Sequence, residues 1–277
     1  MKAPLFTLTL LIVALTFVSP AIGRDRSAVI KDGPNVILPG EGDYLVILHG
    51  WTIGIDNMGD ARDFFSEAGF HVIGLHYPTR KERPDELIDD YIKPSIAKYC
   101  TDPEKKIHFL THSLGGVLLR QYLQTDRPDN LGRVVMLAPP NNGIELVDQF
   151  SDVRAFVRFF GPTALQLRTD ESSWPKRLGK ADYPLGIIMG TTRHEIPITS
   201  KILPGGDDGI VSVDSGKVEG MSQLIALTGF HTVLPVMDSA LEQANHFIES
   251  GKFTDEPPAQ KTPTLSTPGK RFALRKR

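Results

Sequence analysis

The stretch Ile107-His108-Phe109-Leu110-Thr111-His112-Ser113-Leu114-Gly115-Gly116 carries the clearest chemical signal in the chain. An apolar run that reads as a strand leads into Ser113, and a helical pattern opens at Leu114. A serine at such a junction sits on a sharp turn, lifted clear of the sheet, where an electrophile and a histidine can both reach its hydroxyl. Small residues two places to either side let strand and helix pass closely. Gly115 meets that demand downstream. Thr111 departs from it upstream, so its methyl group must be accommodated against the neighbouring strand. The plain alternative is a serine that only caps a helix N-terminus.

Attack of a serine on a carbonyl builds negative charge on oxygen, and that charge needs two fixed N–H donors. The apolar run Tyr44–Leu48 ends in His49-Gly50-Trp51, and a His-Gly pair at this place marks a loop that supplies one of them. The oxyanion-hole donors are then the backbone amides of Trp51 and of Leu114, the residue after the serine. His49 is read as shaping the loop, and the Trp51 side chain as a wall of the acyl pocket. His112 adjoins the serine with its side chain directed into the turn, and is read as structural.

Together with Ala138-Pro139-Pro140-Asn141-Asn142-Gly143 and Asp207-Asp208-Gly209-Ile210-Val211, these segments resemble the lipase and esterase branch of the α/β-hydrolase superfamily. The chain looks closest to secreted bacterial lipase-like proteins and to the catalytic domain of GPI-inositol-deacylase-like proteins. The resemblance spans Asp43 to Gly251 and leaves out both ends. It implies an α/β-hydrolase fold and a serine hydrolase whose nucleophile, acid and base follow in that order. It implies no organic cofactor. Some relatives bind a structural calcium, but no ligand cluster in this sequence argues for a metal.

With that chain order the base is a histidine beyond the acid. Of eight histidines, only His194, His231 and His246 follow Leu185. His194 precedes every plausible acid and His246 falls inside the final helical pattern, whereas His231 comes just after the last apolar run, on a Gly229-Phe230 loop. The acid must lie between Leu185–Met189 and His231, which admits Glu195, Asp207, Asp208, Asp214 and Glu219. Glu195 comes too soon, and Asp214 and Glu219 lie beyond the Ile210–Val213 run. Asp208 abuts the Ile210-Val211 anchor, so packing can hold its carboxylate still, while Asp207 sits nearer the Gly205-Gly206 hinge and is expected to be solvated. The resembling lipases also place their acid directly before this segment. The expected triad is Ser113, Asp208 and His231, working by two-step acyl transfer. The same triad serves acyltransferases and thioesterases, and the same fold serves as a catalytically inactive binding module.

Strand-like runs at Tyr44–Leu48, His71–Leu75, Ile107–Leu110, Val134–Leu137, Leu185–Met189 and Leu224–Leu227 alternate with helical patterns. Helices are expected from Asp60 to Ala68 with Gly69 as the stop, from Pro84 with a kink at Pro94, from Leu114 to Leu123, and from Asp238 to Ile248. Near-continuously apolar strands between helices imply a mostly parallel, doubly covered sheet, of the α/β class. The segment 144–184 is too long for a simple connection. Leu146, Phe150, Val153, Val157 and Phe160 recur at helical spacing, and Phe156 and Phe159 widen the stripe. It reads as a small helical cap whose Leu146, Phe150 and Phe156 meet the substrate, or as a helix that only packs.

The ends stand apart. Met1 to Gly23 reads as a signal peptide: Lys2, an apolar run from Leu5 to Val18, and Ala21-Ile22-Gly23 at the cleavage site. That predicts an exported protein, periplasmic or secreted; an uncleaved anchor needs a run of roughly 20 apolar residues, longer than this one. The tail 252–277 has four prolines and ends Arg275-Lys276-Arg277, so it is expected to be disordered and able to touch anionic lipid or an envelope polymer. The domain is placed at 24–251 between them. The formal charge of the whole chain is -2, and with the tail and Lys2 set aside it becomes -8 for 24–251, which excludes a nucleic-acid binder. A single cysteine, Cys100, excludes an intrachain disulfide framework. The partner expected for such a pocket is a small-molecule or lipid ester.

Overall fold

The structure is a computed structural model, and it describes residues 30–32, 35–51, 54–191 and 202–255. The proposed signal 1–23 and the tail from 256 onward lie outside the described residues. Eight strands form one sheet: β1 (Ile30–Asp32), β2 (Asn35–Leu38), β3 (Tyr44–Leu48), β4 (His71–Leu75), β5 (Ile107–His112), β6 (Leu131–Leu137), β7 (Leu185–Thr191) and β8 (Gln223–Thr228). Their order is β1-β2-β4-β3-β5-β6-β7-β8. β1 and β2 add antiparallel at one edge, and every other pairing is parallel. β3 is buried along its whole length, as expected of a strand covered on both faces.

From β3 the chain moves outward to β4, then returns to lay β5 on the opposite side of β3. Order reversal at that point leaves a crevice beyond the carboxyl ends of β3 and β5, where open α/β sheets place their ligands. Leu48 is the register partner of Thr111, so the His49-Gly50-Trp51 loop and the Ser113 turn leave the sheet side by side.

The helices follow from apolar stripes and their stops. α1 (Gly59–Glu67) buries Ala61 and Phe65, and Gly69 beyond it takes φ 95°. α2 (Pro84–Leu87) runs through a π turn at Ile88–Ile92 into α3 (Lys93–Tyr99). The expected kink at Pro94 is therefore a widened turn just ahead of it. A ring without an N–H clashes with the carbonyl four residues back, and the wider turn relieves this. α4 (Leu114–Thr125) is buried over most of its surface. The cap comprises α5 (Glu145–Phe150), α6 (Arg154–Ala164) and α7 (Trp174–Arg177). α6 bends where Gly161 takes φ 74°, and a Cβ there would lie 2.4 Å from the Arg80 carbonyl oxygen, so only glycine lets the cap seat on the body. After the short α8 (Val213–Gly216), α9 (Asp238–Ser250) ends at a left-handed Gly251.

The packed chain does not end at 251. Phe253 is buried against Phe247, its N–H donates to Gln223 Oε1 at 2.7 Å, and the Thr254 N–H donates to Gln243 Oε1 at 2.9 Å. One apolar side chain two residues beyond the helix stop carries the domain past the boundary expected at Lys252.

Arg120 ties these layers together. From α4 its buried guanidinium donates to Asn141 O at 3.0 Å and Oδ1 at 3.3 Å, and to the carbonyls of Leu178 and Gly179 at 2.9 and 3.1 Å. Burial pulls it down to about 10, still charged at neutral pH. Removing the donor strands acceptors on two segments, the buried Asn141 and the partly buried Leu178-Gly179 pair, at roughly 1–3 kcal/mol for each buried group left unsatisfied. Arg120→Met is expected to lower stability by about 2–4 kcal/mol, read as a fall in the urea midpoint at unchanged slope.

Candidate active site

Ser113 sits between β5 and α4 with φ 52° and ψ -123°, a left-handed backbone that a side chain adopts only under constraint. Its N–H donates to the Leu137 carbonyl at 2.9 Å, and its own carbonyl accepts from Gly116 N–H at 2.9 Å. Two glycines let the helix come this close. A Cβ on Gly115 would meet the Leu48 and His49 carbonyl oxygens at 2.7 and 2.8 Å. One on Gly116 would meet Pro139 Cβ at 2.9 Å and both Met136 Sδ and Thr111 Oγ1 at 3.2 Å. The room for Thr111 thus comes from the missing side chain of Gly116 on the helix, not from the neighbouring strand alone. Thr111 Oγ1 is buried and makes no hydrogen bond.

Gly50 is required for the same reason on the other side of the crevice. A Cβ there would fall 2.8 Å from His112 Nδ1 and 3.1 Å from Ser113 Cβ. His49 holds this loop as expected: Nδ1 donates to the Gly50 carbonyl at 2.7 Å and Nε2 accepts from the Tyr77 N–H at 3.3 Å. Tyr77 stacks on the ring at 4.1 Å and donates its hydroxyl to the His49 carbonyl at 2.6 Å. Burial brings the His49 imidazole down to about 3, so it is a neutral spacer. Leu114, as the first residue of α4, has an N–H without an intrahelical acceptor.

Asp208 and His231 meet across 23 residues of chain, Nδ1 to Oδ2 at 2.7 Å, both nearly inaccessible. The other carboxylate oxygen accepts from the Ile210 and Val211 N–H groups at 3.0 and 2.8 Å. Backbone donors, more than packing, therefore hold the carboxylate. The His231 N–H donates to the Asp208 carbonyl at 3.0 Å. Gly190, at the end of β7, admits both loops: a Cβ there would meet Gly229 O at 2.6 Å and Asp208 Cβ at 2.8 Å. A glycine directly after the apolar run Ile187-Ile188-Met189 was the available sequence signal for this close approach.

Asp207 is not solvated as expected. It is 1% exposed, its Oδ1 accepts from the Gly209 N–H at 2.8 Å, and it bridges to Ser212. An aspartate that bonds the backbone two residues on makes the turn that presents its neighbour. Of the other histidines, His246 on α9 bonds the Lys252 carbonyl beyond the helix, and His194 lies outside the described residues.

Ser113, His112 and His231 open into one cavity walled by Trp51, Ile144, Leu146, Val147, Phe156, Phe160, Ala164, Leu167 and Ile210. It encloses about 40 Å³, space for roughly three water molecules. Trp51 stacks on Phe160 at 4.0 Å and donates its indole N–H to the Phe160 carbonyl at 2.8 Å; Phe160 stacks on Phe156 at 4.0 Å. Of the three cap residues expected to meet the substrate, Leu146 and Phe156 line this cavity. Phe150 does not: it lies behind Phe156, ring centroids 6.0 Å apart, and supports it. Helical spacing alone does not separate a lining residue from its backing. Among the described residues no cluster of His, Cys, Asp or Glu is arranged to hold a metal ion.

No family model matches the sequence, and no curated protein matches it either. Solved structures do match in shape. A lipase of Bacillus licheniformis in its mature form superposes with a TM-score of 0.57 at 14% identity, covering 85% of this chain and 97% of that one. A soluble variant of monoglyceride lipase from Saccharomyces cerevisiae gives 0.53 at 13% identity, over 87% of this chain and 98% of that one. An α/β hydrolase enzyme from the sediment metagenome of the Mar Chica lagoon, Morocco, gives 0.52 at 20% identity, over 80% and 95%. With its reversed strand order, its strained serine turn and its helical cap, the chain has the α/β-hydrolase fold.

Proposed function

We propose that the protein is a serine hydrolase that cleaves carboxylic esters through an acyl-enzyme on Ser113. The observation that carries this reading is the buried Asp208–His231 hydrogen bond at 2.7 Å, whose imidazole shares one apolar cavity with Ser113. Asp208 accepts from Nδ1–H and so leaves Nε2 as the basic nitrogen. His231 Nε2 takes the Ser113 proton as Oγ adds to the ester carbonyl. The N–H groups of Trp51 and Leu114 receive the oxyanion, and the proton then passes to the departing alcohol. Water, deprotonated by the same nitrogen, releases the carboxylic acid.

The cavity wall contains no Lys, Arg, Asp or Glu, which supports an uncharged hydrocarbon acyl group and hence a lipid-type ester. Lipases among the proteins that share the fold agree with an ester substrate. The proposal extends to export, with a mature chain beginning near Arg24, and to peripheral contact of the basic tail with anionic lipid or envelope polymer.

Ser113→Ala is expected to abolish fluorophosphonate labelling and to cost on the order of 10⁶ in turnover with unfolding unchanged; more than a few per cent residual activity would count against the nucleophile. Asp208→Asn is expected to lose about 10⁴ in kcat. Asp207→Asn keeps the oxygen that accepts from Gly209 and should stay within a few-fold of wild type; the opposite ranking on a short-chain p-nitrophenyl ester would move the acid to Asp207. Phe156→Leu opens the far wall, and each methylene newly housed is worth about 0.8 kcal/mol, roughly fourfold. It should raise kcat/KM for octanoate over acetate esters, whereas equal change at every chain length would mark Phe156 as packing only. The N-terminal sequence of exported protein should begin near Arg24; recovery of intact Met1 would refute cleavage.

A further inference from the structure

We propose that His112 is a positioning residue for the base: its imidazole holds the main-chain carbonyl of His231 and thereby sets where the His231 ring stands over Ser113. The inference rests on the reading of His231 as the base.

The loop that carries His231 has little apolar packing of its own. Phe230 and Val233, on either side of the base, are 40% and 38% exposed, and the chain is anchored again only at the fully buried Leu234. Polar ties must therefore fix it. Two come from Asp208, whose carbonyl accepts the His231 N–H at 3.0 Å and whose carboxylate accepts Nδ1–H at 2.7 Å. Both sit on the acid's side, as does the bond from the Gly229 N–H to the Thr191 carbonyl at 2.9 Å that starts the loop. One tie comes from the nucleophile's side: His112 Nε2 lies 3.0 Å from the His231 carbonyl oxygen, and the two rings are 4.8 Å apart. His112 is the residue before Ser113, so this bond measures the base directly from the nucleophile turn.

A carbonyl only accepts, so Nε2 of His112 carries the proton and Nδ1 is bare. Nδ1 is buried without a hydrogen-bond partner, in the space left by the missing side chain of Gly50. A second proton there would have no acceptor. Burial, then the facing His231 and then His49 push the His112 imidazole well below its ordinary value, while the bond to the His231 carbonyl opposes them. The donor is thus the same neutral tautomer throughout the range in which an esterase works.

The test compares two amides at this position. His112→Gln carries an N–H donor at about the reach of Nε2, and His112→Asn carries one too short to meet the carbonyl. With a short-chain p-nitrophenyl ester, His112→Asn should lose roughly 10- to 100-fold in kcat, the scale of a misplaced catalytic group, with KM changed less than about threefold. His112→Gln should recover most of that loss. A low-field proton resonance from the His231 Nδ1–H, bonded to Asp208, supplies a readout independent of turnover. It should persist in wild type and His112→Gln and broaden by exchange in His112→Asn. Equal rates and equal resonances in both variants would overturn the proposal, as would equal losses that track the unfolded fraction. If wild type shows no Ser113-dependent hydrolysis, the reading of the enzyme fails, and the resonance still decides whether His112 positions His231.

Discussion

The fold is organised around one unfavourable backbone conformation. Ser113 at φ 52° costs on the order of 1–3 kcal/mol, and it persists because everything touching it leaves no alternative. The end of β6 accepts its N–H, α4 starts against the Leu48 and His49 carbonyls through Gly115, and the His49-Gly50-Trp51 loop closes over it through Gly50. Ala138, the other non-glycine with positive φ among the described residues, lies at the end of the strand that accepts that N–H. The glycines at 50, 115, 116 and 190 therefore act alike, each omitting a side chain where neighbouring backbone or side chains press close around Ser113, Asp208 and His231.

Polar groups around the cavity are arranged to stay neutral or to be fully bonded. His49 and His112 are stripped of charge by burial. Asp208 keeps three donors around its two carboxylate oxygens. In surroundings this apolar an unpaired charge is expensive and a paired one is strong. The Asp208–His231 pair is such a bonded group, and its imidazole lines the same apolar cavity as Ser113.

Much of this was legible in the sequence because it is local. β3 and β4 fall where alternation and apolarity place them, at Tyr44–Leu48 and His71–Leu75, and the strand–serine–helix junction announces itself within ten residues. The features that were not legible depend on distant partners or on very short elements. β1 and β2 are three and four residues long, too brief for periodicity to register. The burial of Asp207 follows from the way the 207–212 segment folds back on itself. The withdrawal of Phe150 from the cavity wall follows from the stacking order of the cap aromatics. The tie from His112 to the His231 carbonyl spans 119 residues, a separation no local pattern reports.

The exchange of volume between Thr111 and Gly116 constrains how this chain can vary. The usual arrangement spends the small residue on the strand, and here it is spent on the helix, with Thr111 Oγ1 3.2 Å from where a Gly116 side chain would begin. Side chains at the two positions would compete for part of the same space. A glycine at 111 alone leaves a void beneath the serine turn, and an alanine at 116 alone overfills it, against Pro139 Cβ at 2.9 Å and Met136 Sδ at 3.2 Å as well as against the threonine. Removing Thr111 relieves one of those three contacts, so the double change recovers part of the loss and the single effects do not add. The threonine is thus held by its glycine, and the glycine in addition by the turn that follows β6.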